Sequence, residues 1–549
     1  MRDRKTFGWR AAGLTAALLS LAGCGGGGSN GGGGFFPVTV APPPAADNGA
    51  APPAPAPAPA PVTAQQACTS LEGKTVGAAT VTAAAVVAAS GEVPAYCKVN
   101  ARIDPKLNFE LRLPDAWNNK LQYFGGGGYN GSIPPLVAGD LLSLPAIKKG
   151  FATVGSDSGH QASGLDASWA LDDPTAAQLF GSLSVPTVMS SVVEMLKVAY
   201  GTAPAKSYFE GCSNGGREAL MTAQRYPNLF DGIIARAPAY NWVGFMGGFN
   251  RTAKAMAAPG GALDTAKVAT LAKAVRDACD ADDGIVDGVV SNPVACTFDP
   301  QVLRCVGGAD TGSNCLSDAQ LASVASTTSA AVFAGSPTYR DPGRPLAGNE
   351  DDPAAFGLWT TGGGNPQMSL QYLFQDTTVK TYLARNLAAD SLAYTWDQDT
   401  GALYGLAALN DATNVDLRPF QNSGGKLILW HGENDAALSY RTTTEYYTNM
   451  VAAVGGQGTA DTFTRLYLAP GVNHCAGGPG ADVSDLLGAL DAWADKGTAP
   501  GTLEASKIVA GANAFSRPLC QFPRYPRYTG PSNDAEAAKL ASNYTCTST

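Results

Sequence analysis

Short β-branched and aromatic runs recur along the middle and end of the chain, separated by segments with helical spacing of apolar residues. The runs Phe109–Leu113, Lys120–Phe124, Phe151–Gly155, Ser207–Glu210, Gly232–Arg236, Lys426–Trp430 and Thr464–Leu468 predict strands. Ser191–Tyr200 and Asn214–Arg225 predict helices. Strands alternating with helices predict an α/β fold, a mostly parallel sheet with helices on its faces. From about 241 to 416 this rhythm stops. That stretch is rich in Ala, Gly and Asp, holds four cysteines, and is expected to be an insertion capping the sheet.

The N-terminus has a different pattern. Arg2, Arg4, Lys5 and Arg10 precede a short apolar run, Ala11–Leu21, which is too short to span a membrane. The run ends in Leu21-Ala22-Gly23-Cys24, which resembles a bacterial lipobox with Cys24 as the lipidated residue. An ordinary signal peptide with an incidental cysteine is the alternative. Residues 25–64 collapse into Gly, Pro and Ala, a composition that cannot bury enough surface to offset ordering entropy, so they predict an extended tether. Gly25 rather than Asp after Cys24 suits an outer-membrane lipoprotein; a periplasmic lipoprotein or a secreted protein are the other expectations. The chain divides accordingly into 1–24 (signal and lipobox), 25–64 (tether), 65–240 (first core part), 241–416 (lid insertion) and 417–549 (second core part).

Composition narrows the partners. With 37 basic and 46 acidic residues the net charge is −9, which argues against nucleic acid and leaves membrane contact to the N-terminal anchor. Setting Cys24 aside leaves an even number of the 11 cysteines in an exported chain, so disulfides are expected. Sequence neighbours pair as Cys68–Cys97, Cys279–Cys296, Cys305–Cys315 and Cys520–Cys546. Cys212 and Cys475 remain, far apart in sequence.

Candidate chemistry centres on Gly211-Cys-Ser-Asn-Gly215, a G-x-S-x-G between a predicted strand and a predicted helix. There the turn would expose the Ser213 hydroxyl above the carboxyl edge of the sheet. A serine hydroxyl needs a base that is itself oriented by an acid. The chain has only 3 histidines. His474 follows a late strand, and Asp435 lies in the loop after Lys426–Trp430, which gives the order Ser, acid, His of an α/β-hydrolase. Glu433 is the rival acid. His431 is too close along the chain to Asp435 and is expected to be structural; His160 either lines the pocket or satisfies backbone groups. Pairing Cys212 with Cys475 would hold the serine turn against the histidine loop, because a disulfide keeps its Cα atoms about 5.5 Å apart. Oxyanion donors are expected from the Asn214 amide and from the Gly-rich loop Phe124–Gly131. Cys279-Asp-Ala-Asp-Asp-Gly-Ile-Val-Asp-Gly-Val289 could bend around a hard cation such as calcium, or be a solvated acidic turn.

These residues together resemble the tannase/feruloyl esterase family, whose signature joins Cys-Ser, Asp and His-Cys, here Cys212-Ser213, Asp435 and His474-Cys475. The resemblance runs from about Cys68 to Cys546 and includes all five cysteine pairs. Ser207–Arg217 and Gly471–Gly480 closely resemble a bacterial member that hydrolyses a terephthalate monoester. The resemblance implies an α/β-hydrolase core with a lid inserted between nucleophile and acid. It also implies a structural Ca2+ in the lid, held by Asp280, Asp283 and Asp287 with the main-chain oxygens of Ile285 and Val289. Gly128 and Asn214 match the family's oxyanion donors. The implied reaction is ester hydrolysis through an acyl-enzyme, with a small aromatic ester as substrate. The terephthalate-monoester hydrolase holds its substrate's carboxylate with a lid arginine. The matching stretch here, Trp359–Phe374, has no arginine or lysine, and another lid arginine such as Arg385 would have to substitute. Trp359, Tyr372, Phe374 and Trp396 are candidates to pack an aromatic acyl group.

Overall fold

A capping box opens the fold. The Thr63 hydroxyl accepts from Gln66 N at 3.3 Å and the Gln66 side chain accepts from Thr63 N at 2.8 Å, starting the helix Ala64–Leu71. Ala64, the last residue of the expected tether, is thus the first residue of this helix. This computed structural model describes residues 61–136, 146–532 and 534–548. The signal segment with Cys24, and the tether as far as residue 60, lie outside the described residues.

The strands β1 (Thr75–Val76), β2 (Ala79–Val87), β3 (Tyr96–Ile103), β4 (Leu107–Pro114), β5 (Lys120–Phe124), β6 (Ala152–Ser156), β7 (Lys206–Cys212) and β8 (Gly232–Arg236) precede the insertion. Within it, β9 (Ala331–Phe333) and β10 (Ser336–Asp341) form a hairpin. After it come β11 (Lys426–Gly432) and β12 (Thr464–Ala469). Ten of these strands make one sheet in the order β1-β2-β3-β4-β6-β5-β7-β8-β11-β12. From β6 onward every neighbouring pair is parallel, while β1 to β4, and β4 with β6, pair antiparallel. The central strands are buried on both faces, which explains why they read as continuous apolar runs.

Every predicted strand lies on an observed one to within a residue or two. β1, β2 and β3 have no predicted counterpart. In β2 the run of alanine, valine and threonine gives both faces similar polarity, so period-2 contrast fades. β3 does alternate, with Lys98, Asn100 and Arg102 outward against buried Val99, Ala101 and Ile103. The helix expected over Ser191–Tyr200 begins earlier, at Ser184, and Asn214–Arg225 is observed as expected.

The insertion is mainly helical, with Trp242–Ala257, Thr265–Cys279, Asp318–Thr328, Leu370–Thr378 and Thr400–Asn410. Its Trp242, Phe245, Phe249, Phe374 and Leu403 share an apolar cluster with Tyr129, Phe180 and Leu438 of the core. The chain beyond 502 does not continue the hydrolase sheet but forms two hairpins, β13 (Leu503–Val509) with β14 (Ala512–Leu519) and β15 (Arg524–Tyr528) with β16 (Tyr544–Ser548). β13 pairs with β14 and β15 with β16, and Ser506 of β13 also exchanges backbone hydrogen bonds with Val483. All five disulfides are formed as paired above.

Candidate active site

β7 ends at Cys212 and the helix Asn214–Arg225 begins two residues later, so Ser213 alone makes the turn. Its backbone sits at φ 62°, ψ −121°, a region L residues rarely adopt. Two hydrogen bonds hold it there: Ser213 N donates to Arg236 O, and Ala239 N donates to Ser213 O, both at 3.0 Å. Gly215 is required by close approach, since a Cβ there would stand 2.7 Å from Gly126 O. The helix N-terminus thus rests directly on the Gly-rich loop, with Ser213 partly exposed above it.

Asp435 lies just beyond β11, and His474 beyond β12. His474 Nδ1 donates to Asp435 Oδ2 at 2.7 Å, which leaves Nε2 as the basic nitrogen. His431 Nε2 reaches the same oxygen at 3.0 Å and Leu438 O at 3.1 Å, so this nitrogen is the donor and Nδ1 accepts from Thr443 Oγ1. The other oxygen, Asp435 Oδ1, accepts from the amides of Ala437 and Leu438, each at 2.8 Å. Burial works against the Asp435 charge, but His474 and His431 outweigh it and hold the carboxyl well below the usual carboxylate range. Glu433 behaves oppositely: it is buried and its carboxyl is pushed up to about 8 by that burial. The residue that contacts His474 is Asp435. Cys212 and Cys475 are joined with Cα atoms 5.9 Å apart, so the disulfide bridges the residue before Ser213 to the residue after His474.

The Gly-rich loop carries Gly128, which lines the same cleft as Ser213 and Asn214. Gly128 has φ 57°, and a Cβ would stand 2.3 Å from Gly164 O, so only glycine fits. Beneath the loop lies a buried polar network absent from the sequence expectations. Glu218 accepts from Gly126 N at 3.0 Å and from Asn130 Nδ2 at 2.6 Å. Asn130 Oδ1 accepts from Asn214 Nδ2 at 2.9 Å, and Asn214 Oδ1 accepts from Arg217 Nε at 2.7 Å. Arg217 itself donates to the carbonyls of Gly181 and Phe180 at 2.8 Å. Charged residues at buried helix positions directly after the motif are the signal that could have revealed this network. His160 belongs behind the loop: its Nε2 bonds Tyr129 O at 2.8 Å and its ring stacks on Trp169.

A cleft opens directly above Ser213. Of the lid aromatics named from sequence, Trp359 and Phe374 line it, stacked on each other at 6.0 Å, and Trp359 meets the edge of His474 at 4.9 Å. Trp396 packs on Phe333 and Tyr394 instead and borders a different surface cleft; Tyr372 is outside the lining. The sequence expectations lack Trp242, Phe245, Met246 and Phe249, one face of the first lid helix, which make up much of the wall. Among the described lining residues there is no lysine or arginine. Arg385 is exposed, and its guanidinium donates to Leu171 O rather than to the cleft.

In the acidic loop, Asp280 Oδ2 accepts from Gly288 N at 2.9 Å while its Oδ1 is buried without a partner. Asp283 accepts from Ile285 N and Ser291 N at 3.2 and 3.1 Å. Asp287 accepts from Val289 N at 3.1 Å and is ion-paired with Arg517 at 2.8 Å. Burial, with Asp287 adding, raises both Asp280 and Asp283, the latter to about 6. The buried, unpartnered oxygen fits a cation. Asp287, engaged by Arg517, is not gathered with the other two, and no group of three metal-ligand side chains converges among the described residues.

A serine on a strand-to-helix elbow, followed in chain order by an acid and a histidine beyond later parallel strands, defines an α/β-hydrolase. The family model for tannase and feruloyl esterase matches residues 89–547. The chain is 32% identical over 530 residues to the mono(2-hydroxyethyl) terephthalate hydrolase of Piscinibacter sakaiensis, covering 84% of this chain and 86% of that one. It is also 32% identical over 463 residues to a probable feruloyl esterase of Arthroderma benhamiae, covering 79% and 82%. The crystal structure of feruloyl esterase B from Aspergillus oryzae superimposes with a TM-score of 0.76 at 23% identity, over 88% of this chain and 100% of that chain, and shares its fold. The chain belongs to the tannase and feruloyl esterase family and is a carboxylic ester hydrolase.

Proposed function

We propose that this enzyme hydrolyses esters of uncharged aromatic acids through an acyl-enzyme on Ser213. His474 takes the Ser213 proton as the hydroxyl attacks the ester carbonyl, and Asp435 fixes the imidazole tautomer and stabilises the imidazolium. The amides of Gly128 and Asn214 receive the oxyanion. His474 then protonates the leaving alcohol and activates water for deacylation. The observation that carries the substrate class is the cleft itself: Trp242, Phe245, Phe249, Trp359 and Phe374 surround the serine, with no cation among the described lining residues to hold a second carboxylate.

A panel of ferulate, gallate, benzoate and terephthalate-monoester substrates tests this. Neutral aromatic esters are expected to exceed the terephthalate monoester in kcat/KM, and the reverse order would overturn the acyl preference. Labelling by a fluorophosphonate, lost in Ser213→Ala, tests the nucleophile.

Two further assignments belong to this reading. Asp280 and Asp283, with the carbonyls of Ile285 and Val289, would hold a structural Ca2+, which Asp287 would join on leaving Arg517. The ion's contribution is charge neutralisation that stabilises the fold. Chelation is expected to lower Tm by roughly 3–5 °C, an effect absent in Asp280→Asn. Five disulfides fit folding in an oxidising compartment, and Cys24 is proposed to anchor the exported enzyme to a membrane.

A further inference from the structure

Asp435 and His474 sit on separate turns, and each has an asparagine immediately before it. Asn434 and Asn473 are buried, at 6% and 2% exposure, and bonded to each other: Asn434 Nδ2 donates to Asn473 Oδ1 at 2.5 Å. The second Asn434 N–H donates to Asn349 O in the lid at 3.1 Å. Asn473 Nδ2 donates to Asp352 Oδ1 at 2.8 Å, so the amides run in one direction towards a carboxylate. Backbone bonds support both ends, with Asn434 N on Val472 O and Asn473 N on Gly477 O.

The lid end of this chain leads back to the site. Asp352 accepts from Ala354 N at 2.9 Å and begins the helical segment Pro353–Thr361, which carries Trp359 against His474. Asn349 continues in the other direction, donating to Gly288 O of the acidic loop at 2.8 Å.

The geometry points to Asn434 and Asn473 as positioning residues, a second tie between the acid turn and the base turn that also docks the lid segment bearing Trp359. Resting on the Ser213–His474–Asp435 reading above, it assigns them no contact with the reacting atoms. The pair makes the separation of Asp435 and His474 independent of their own hydrogen bond, which must lengthen and shorten as the imidazole gains and loses its proton. Small displacements of a general base are costly, because attack needs a near-aligned geometry.

The test is a double-mutant cycle with rates normalised to active sites counted by fluorophosphonate titration. Asn434→Ala and Asn473→Ala are each expected to lower per-site kcat about 30-fold with KM within about 3-fold. The double variant is expected to resemble either single one rather than show the product of the two losses. Unchanged per-site kcat with fewer titratable sites would mean a merely structural role and overturn the proposal, as would multiplicative losses. If an alanine variant does not fold, Asp352→Ala, at a partly exposed position, is expected to lower per-site kcat about 5-fold; no change would overturn it equally. Ser213→Ala is run in parallel. Labelling that survives there defeats the triad reading itself, whatever the asparagine variants do.

Discussion

The two walls of the cleft are built by different means. The floor, Ser213 with Gly128, Asn214, Asp435 and His474, is set by backbone: a positive-φ serine, glycines that no Cβ can replace, and a disulfide across two turns. The roof, Trp242 to Phe249 with Trp359 and Phe374, is set by side chains of helical segments packed on one another. Backbone constraints leave few residue choices and so concentrate into short motifs. Packing constraints ask only for apolar volume and can be met by many sequences. Chemistry is thus held rigid on one side, while substrate preference can drift on the other.

The disulfide is the sharpest way to break the floor. Replacing both Cys212 and Cys475 with serine is expected to lower kcat about 100-fold, since the Ser213 and His474 turns lose their covalent register. The same exchange at Cys305 and Cys315, within the insertion, is expected to change kcat less than about 3-fold. Steady-state kinetics on one neutral aromatic ester compares the two. Equal losses would show that the floor does not depend on the clamp.

That contrast also explains what the sequence disclosed. Central strands such as Gly232–Arg236 were legible because burial on both faces forces unbroken apolar runs, and the elbow was legible because strand, small residues and helix are contiguous. The Asp435–His474 pairing was legible because histidine is scarce and each half-site follows a strand. The Glu218–Asn130–Asn214 network was not, because its members come from distant segments and each alone resembles a surface residue. The lid was legible as an insertion capping the sheet, but most of its cleft-lining face was not. Its Trp242, Phe245, Met246 and Phe249 do have helical spacing, but nothing local says that this face roofs a cleft rather than fills a core. The terminal hairpins were missed because partly exposed strands carry weak alternation.

Glu433, two residues from Asp435, offers a pH test of how tightly the floor is sealed. Its folded pKa of about 8 stands above the 4.5 of an ordinary glutamate because burial disfavours the charge. Below about pH 4 both states are protonated and the residue costs nothing. As pH rises towards 8 the unfolded state ionises while the folded state does not, so stability falls over that window. Glu433→Gln is therefore expected to leave stability at pH 4 nearly unchanged and to raise it by about 4 kcal/mol at pH 8. Denaturant melts at the two pH values measure this, and a gain that is equal at both would mean the floor admits water around the carboxyl.

The smallest expected effect falls on the roof. Trp359 is partly exposed, stacks on Phe374 and touches the edge of His474, so truncating it removes aromatic surface from the acyl site without unmaking a core. An aromatic pair of that kind contributes about 0.5–1.5 kcal/mol beyond its buried area. Trp359→Ala is expected to lower kcat/KM for ferulate or benzoate esters about 10-fold, chiefly through KM, and to leave a short acetyl ester within about 2-fold. An equal loss on both substrates would instead place Trp359 with the floor, as a support for the His474 imidazole. The boundary between the rigid wall and the adaptable one would then run through this residue.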